Sequence, residues 1–535
     1  MSYDVLVVGS GAGGGVAAWK LARNGFKVCL VERGPKFDPQ KDYVLNYPDW
    51  EWREDPLQSA QMDEQTIDLA YTTPLRESNT VNSRAPFTYH RVIGVGGSTL
   101  HYQGEAHRFA EHAFQPKTLF GWGSDWPLRY TDLEPYYRKM EELLGVAGER
   151  GNPFKSDRGE FPLPAHPLSG KSRILADSAL EAGMTLQTNT LALPSMSFDG
   201  RLPCQHSGGC VLGCIFNAKS SVDQVFVPAA EKTGNLELLT DTRAMKIITD
   251  ASGAIAGVQC VRSGQSLRIS AERYLLAAGA IETPRLLLHS KSTQYPEGFA
   301  NAHDQVGRYF METVGSSVPL MLRDPIHVYR GPPIEARVWD FCYPADTDSL
   351  GFVLGVMSSL ERSAGPTRHA MRVSGLGRKH KQQVRETFGR ELQLFGIAEQ
   401  EPISSNRIFL SDQKDDLGVP KVKVHSVYGA RDRNTIKQME KRLLDWARAT
   451  STEYVGRPRS TEIKSSATHV GGTCRMGEDP RHSVVDGFGQ LHGQSDVYIC
   501  DGSVLPSQGA GDSPSLTIQA LALRTAEKIA ADLRN

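Results

Sequence analysis

The chain has 535 residues, 39% of them hydrophobic and 23% charged, with a formal net charge of −1. That length predicts two or three domains, and the near-neutral balance argues against nucleic acid or an acidic membrane surface as partner. No run of about eighteen apolar residues occurs, so no segment is expected to span a bilayer, and patterned sequence begins at Tyr3, leaving no room for a signal peptide.

In chain order, Asp4–Val8 is a short apolar run that predicts a buried parallel strand, and Gly9-Ser-Gly-Ala-Gly-Gly14 follows it as a G-x-G-x-x-G turn. Val16–Ala22 then reads as a helix. Gly9, Gly11 and Gly14 permit a tight turn and a close backbone approach, so that a pyrophosphate can rest on the amides of the helix N-terminus. A second apolar run, Lys27–Val31, ends at Glu32 and Arg33, placing a carboxylate where it can accept hydrogen bonds from a ribose. A bare ribose favours FAD or NAD over NADP, and the glycine motif alone does not choose between the first two.

Residues 36–90, rich in Asp, Pro, Tyr and Trp, predict a long surface excursion. Arg91–His101 is a second glycine-rich turn containing Gly96, Gly97 and Ser98, which is either a steric loop or a set of amides facing a flavin. Tyr130–Leu144 predicts a capped amphipathic helix and residues 150–172 a linker. After a cysteine-rich loop, strands are expected at 236–239, 244–249, 256–261 and 266–270. A buried strand from Tyr274 runs into the turn at Ala278-Gly279, and a helix begins near Glu282. Most of residues 315–460 predicts a strand-rich domain presenting one face to substrate, with Arg378–Lys381 as a solvated basic loop. The last part holds Thr468–Gly477, a strand over Val497–Cys500, the Asp501-Gly502 turn, and a long helix from Pro514. Its N-terminus, near Ser515, is able to polarise an electron-rich ring.

Four segments together, Gly9–Glu32, Gly94–Tyr102, Gly279–Ser290 and His469–Ile518, resemble the glucose-methanol-choline (GMC) oxidoreductase family. The resemblance implies FAD. It implies an α/β fold: a Rossmann-like FAD-binding domain (1–45, 85–110, 220–314 and 461–535) with a second α+β substrate domain on a largely antiparallel sheet (111–219 and 315–460). It implies that His469 is the base for an alcohol substrate, and imidazole suits the task because hydride leaves a carbinol carbon readily only as the hydroxyl loses its proton. The family places a second His or Asn where this chain has Ser513, so that role falls to Ser513, Asp512 or another side chain. The loop around His101 is similar to one that carries a histidine bonded covalently to the flavin in pyranose oxidases; noncovalent packing is the alternative. Cofactor contacts are expected from Gly9, Gly11, Gly14, Glu32, Arg33, Gly96, Gly97, Ser98, His101, Ala278, Gly279, Asp501, Gly502 and Ser515.

Cys204, Cys210 and Cys214 have the spacing C-x5-C-x3-C on loop 204–214. The clustering suggests a soft-metal centre. It resembles the loop that holds a [3Fe-4S] cluster in catalytic subunits of membrane-bound sugar dehydrogenases of this family. A zinc site completed by His206, or simple burial of the thiols, are the alternatives. The cluster reading implies a small Tat-exported companion subunit, a multihaem cytochrome c, membrane association only through those partners, and periplasmic residence. The function expected is an FAD-dependent sugar dehydrogenase that oxidises a pyranose or glycoside, C3 of a glucoside ahead of C1 of glucose. The rivals are a cytoplasmic oxidase that uses oxygen and a non-catalytic flavoprotein subunit.

Overall fold

The computed structural model describes residues 3–47, 67–72, 91–156, 159–328, 330–358, 366–461 and 468–535. Of the excursion expected over 36–90, the parts 48–66 and 73–90 lie outside the described residues.

The apolar runs near the N-terminus form the heart of a five-stranded parallel sheet, in the order Val497–Ile499, Ala271–Leu276, Tyr3–Val8, Val28–Val31 and Leu236–Leu239. Val5, Leu6 and Val7 are fully buried, as expected of parallel strands covered on both faces. Helices Gly14–Arg23, Val222–Glu231 and Ser515–Arg534 contribute to the same core. A three-stranded antiparallel sheet over 242–269 flanks it. Helix Tyr130–Leu144 begins where expected, with the Arg129 amide donating to Asp132 (2.7 Å). Its Leu133, Tyr137 and Met140 are buried in the core of the parallel sheet.

The second sheet has seven strands, all antiparallel, centred on Thr313–Leu322 and Glu391–Glu399. The period-two alternation of a strand decides what each face does. In Glu391–Glu399, Leu392, Leu394 and Ala398 join the cluster beneath helix Ala430–Ala449, while Gln393, Phe395 and Ile397 face an internal cavity. The helix crosses so closely at Gly396 that a Cβ there would press on the Met439 side chain. The architecture is therefore the two-domain one expected: a Rossmann-like nucleotide domain and an α+β domain on an antiparallel sheet. One element differs. The basic run at Arg378 is part of a helix, Gly377–Thr387, with no buried residue; Val384 is its one large apolar residue, so it offers no apolar stripe to read.

Arg108 is one of the ties between the glycine-loop segment and helix Tyr130–Leu144. It is buried and donates to both oxygens of the fully buried Glu141 (2.9 and 2.7 Å) and to the Tyr130 hydroxyl (3.0 Å). Replacing Arg108 by Met strands a buried carboxylate, and we expect it to cost about 3–5 kcal/mol of stability, read as a lowered thermal midpoint. The double change Arg108→Met/Glu141→Leu is expected to recover much of that loss.

Candidate functional site

A cavity of about 860 Å³ runs between the C-terminal ends of the parallel strands and the antiparallel sheet. This is where ligands lodge in open α/β sheets. At its first wall the opening glycines divide into two kinds. A Cβ at Gly13 would overlap the Cys500 carbonyl, and one at Gly14 would overlap the Gly9 carbonyl, so these two permit helix and strands to close on one another. At Gly11 a Cβ would meet nothing within 4 Å, because that backbone faces the cavity.

Glu32 lies at the tip of its strand as expected, buried and lining the cavity. Its carboxylate accepts from the Ser10 amide (3.0 Å) and hydroxyl (2.6 Å) and from the Gly34 amide (3.1 Å). Ser10 in turn accepts from the Gly96 amide (3.1 Å) and so ties the first glycine loop to the second. Ser10 went unremarked in the sequence because it holds one of the open positions of the motif. Gly97 packs on Gly11, where an added Cβ would come within 2.9 Å of the Gly11 Cα. Ser98 and His101 face the cavity from this loop. Gly9, Arg33, Ala278, Gly279, Asp501, Gly502 and Ser515 also line it, whereas Gly14 and Gly96 stand behind the wall and act sterically. Asp501 holds the turn before helix Gly279–His289, accepting from the Gly279 amide (2.8 Å) and Thr283 hydroxyl (2.6 Å).

One end of the cavity is rich in guanidinium groups. Arg91 and Arg285 donate to Glu282 (2.9 and 3.2 Å), Arg33 stands 3.7 Å from it, and Arg285 and Arg243 both pair with Asp415. Burial opposes ionisation of Glu282, but these cations outweigh it and hold the carboxyl well below its usual range.

His469 lies at the other end, half-buried in the wall, and its Nδ1 is enclosed with no hydrogen-bond partner among the described residues. Burial, together with Arg337 and His107, pushes the imidazole down to about 4 against the pull of Glu105. Its carbonyl accepts from the Gln508 side chain, and the Gln508 and Ala510 amides donate to Glu399 (2.7 and 3.0 Å). Burial raises the Glu399 carboxyl to about 7.

Ser513 also reaches this end, but its hydroxyl donates to Glu105 (2.9 Å) and its amide to His107 (3.1 Å). Asp512 points away into the protein, paired with Lys155 and 3.2 Å from His107, and does not line the cavity. It is therefore not placed to act on a substrate. Glu105 and Arg337 line the cavity instead. A single acid and a single arginine 232 positions apart give no sequence signal of their pairing.

Loop 204–214 carries the three cysteines singled out by their spacing. Among the described residues no group of three or more His, Cys, Asp or Glu side chains is placed to hold a metal ion. Cys204 and Cys210 pack with Leu191 and Leu193. The loop is braced from outside. Gly209 and Gly213 lie against Leu45 and Tyr43, and the buried Lys219 ammonium donates to the carbonyls of Cys210 (2.8 Å), Leu100 (2.7 Å) and Tyr102 (3.0 Å).

The elongated cavity fits FAD: open backbone at Gly11, an acid at the tip of the second strand, and a helix N-terminus beside the His469 end. Comparison with known proteins agrees. Residues 5–312 and 402–522 match the N- and C-terminal sequence patterns of the GMC oxidoreductases. The chain is 32% identical to 6'''-hydroxyparomomycin C oxidase of Streptomyces lividus, covering 99% of this chain and 92% of that one. It is 28% identical to the fructose dehydrogenase large subunit of Gluconobacter japonicus, covering 100% and 99%. Its fold is similar to the crystal structure of pyridoxine 4-oxidase from Mesorbium loti, with a TM-score of 0.68, 19% identity, and coverage of 98% and 99%. With both family patterns present around one continuous dinucleotide cavity, the chain belongs to the GMC oxidoreductase family of FAD enzymes.

Proposed function

We propose that the protein oxidises a hydroxyl of a pyranose or glycoside, C3 of a glucoside ahead of C1 of free glucose. The observation that carries the chemistry is that His469 lines the cavity, its Nδ1 enclosed and without a hydrogen-bond partner among the described residues. A neutral imidazole so placed accepts the hydroxyl proton as the carbinol carbon gives up hydride. Bound FAD supplies the hydride acceptor. Gly11 and Glu32 are the residues to hold its dinucleotide arm, and the antiparallel sheet contributes Gln393 and Phe395 to the wall. Likeness to relatives named for acting on sugars supports this substrate class.

Reoxidation is proposed to occur directly at the flavin, by oxygen or a soluble acceptor; the packing of Cys204 and Cys210 with Leu191 and Leu193 supports it. A companion subunit, and with it periplasmic residence, is proposed only on the likeness to a relative that is itself a large subunit.

Anaerobic mixing of the holoenzyme with methyl α-D-glucopyranoside, D-glucose and D-fructose tests the activity, and bleaching of the flavin by one of them is expected. No bleaching by any of the three would sink the sugar reading. His469→Ala is expected to keep the flavin and lower the bleaching rate roughly a hundred- to ten-thousandfold. Because the base works in its neutral form, the wild-type rate should be flat at neutral pH and fall as pH drops through about 4. Gly11→Ala should fold with an unchanged thermal midpoint as apoprotein yet retain little FAD, while Gly13→Ala should fail to fold. Purified protein is expected to contain FAD without stoichiometric iron; stoichiometric iron and sulfide would show that loop 204–214 rearranges around a cluster.

A further inference from the structure

Arg337 is the most polar side chain the mechanism above leaves unused. It lies in strand Ala336–Val338, is 1% exposed, and lines the cavity with Glu105, Phe395, His469 and Ser513. Its Nε and Nη2 both donate to Glu105 (2.8, 2.6 and 2.7 Å), and its guanidinium carbon sits 4.7 Å over the Phe395 ring. These contacts fix the plane of the group. They leave Nη1, whose protons are buried and find no acceptor among the described residues. A desolvated cationic donor left unpaired is unfavourable, and on a residue that lines the cavity it would be satisfied by a ligand oxygen brought to it.

The same network removes Ser513 as a donor. Glu105 accepts from Arg337, from Asn189 (2.8 Å) and from the Ser513 hydroxyl (2.9 Å), so the serine proton is already committed. Burial opposes ionisation of Glu105, but Arg337 and His107 outweigh it and hold the carboxyl down at about 2, so the ion pair is formed throughout the working range. The pair is neutral overall. Its open donor therefore suits a hydroxyl that becomes a carbonyl better than a carboxylate.

We propose that Arg337 is a catalytic residue, with Nη1 donating a hydrogen bond to the reacting oxygen of the substrate alcohol. The inference rests on the reading of His469 as the base. The hydroxyl proton passes to His469, the carbinol hydrogen leaves as hydride to the bound flavin, and the C–O single bond becomes the carbonyl. Arg337 keeps all its protons and holds the oxygen while negative charge grows on it. In this chain it takes the part that a second His or Asn would otherwise play, from the opposite wall and from the other domain.

The test is stopped-flow flavin reduction of the holoenzyme by methyl α-D-glucopyranoside. Arg337→Lys keeps a cation for Glu105 but loses the forked donor. The double variant Glu105→Gln/Arg337→Gln replaces the ion pair by a neutral amide pair and guards against simple misfolding. Both are expected to retain FAD and to lower the saturating reduction rate about a hundredfold, as removal of one preorganised donor does, with half-saturation changed less than about threefold. A saturating rate within about threefold of wild type in either variant, or loss of flavin from both, would overturn the assignment and leave Arg337 a structural residue. If the glucoside fails to bleach the wild-type enzyme but D-glucose or D-fructose succeeds, that sugar becomes the probe; if all three fail, the sugar reading falls without touching this one. The probe then becomes 4-methoxybenzyl alcohol, an activated alcohol that needs no sugar contacts, and its failure on the wild type overturns both.

Discussion

The structure depends on a place where there is no room for a methyl group. At Gly13 and Gly14 the first turn of the opening helix lies directly on the Cys500 and Gly9 carbonyls. Because Cys500 follows the strand Val497–Ile499, this contact joins the two ends of a 535-residue chain. The C-terminal segment is thereby drawn over the sheet, and with it come Asp501, Ser513 and the N-terminus of the last helix. The dinucleotide loop and the chemical end of the cavity are thus positioned by one close approach of backbones.

Electrostatics then sorts the cavity lengthwise. Four guanidinium groups, Arg33, Arg91, Arg243 and Arg285, crowd one end and outnumber the carboxylates of Glu32, Glu282 and Asp415 beside them. The other end is built from groups that cancel. Glu105 offsets Arg337, Asp512 offsets Lys155, and His469 is kept neutral by burial. An anionic cofactor suits the first end, and proton transfer to an uncharged base suits the second. Neutral pairs fix geometry without lending the base a net charge that would compete for its proton.

Much of this is legible in the sequence wherever a residue type answers a local need. Glycine at 9, 11 and 14 and an acid at 32 are each required by the backbone or by a ribose, so their spacing carries the fold. Helix Tyr130–Leu144 is legible because its apolar residues repeat with the helical period and Asp132 caps it. Legibility ends where a role is created by contact. The helix at Gly377 has no buried face, and Val384 alone makes no apolar stripe. The three cysteines look like ligands by their spacing, but spacing says nothing of where a thiol points once Leu45, Tyr43 and Lys219 brace the loop. Glu105 and Arg337 come from different domains and become a site only after the antiparallel sheet closes over the cavity.

Ser513 shows why position and chemistry must be separated. It sits at the mouth of the last helix, where a direct substrate contact is expected, yet both its polar groups face inward, to Glu105 and His107. A His or Asn there would have to give up those bonds or turn into the cavity, leaving Glu105 one donor short. The serine is small enough to remain within the network and to hold Glu105 square to the Arg337 fork. On the reading proposed above, the helix N-terminus supports the polar group near His469 rather than supplying it, and that group stands on strand Ala336–Val338, where Phe395 and Glu105 fix its plane.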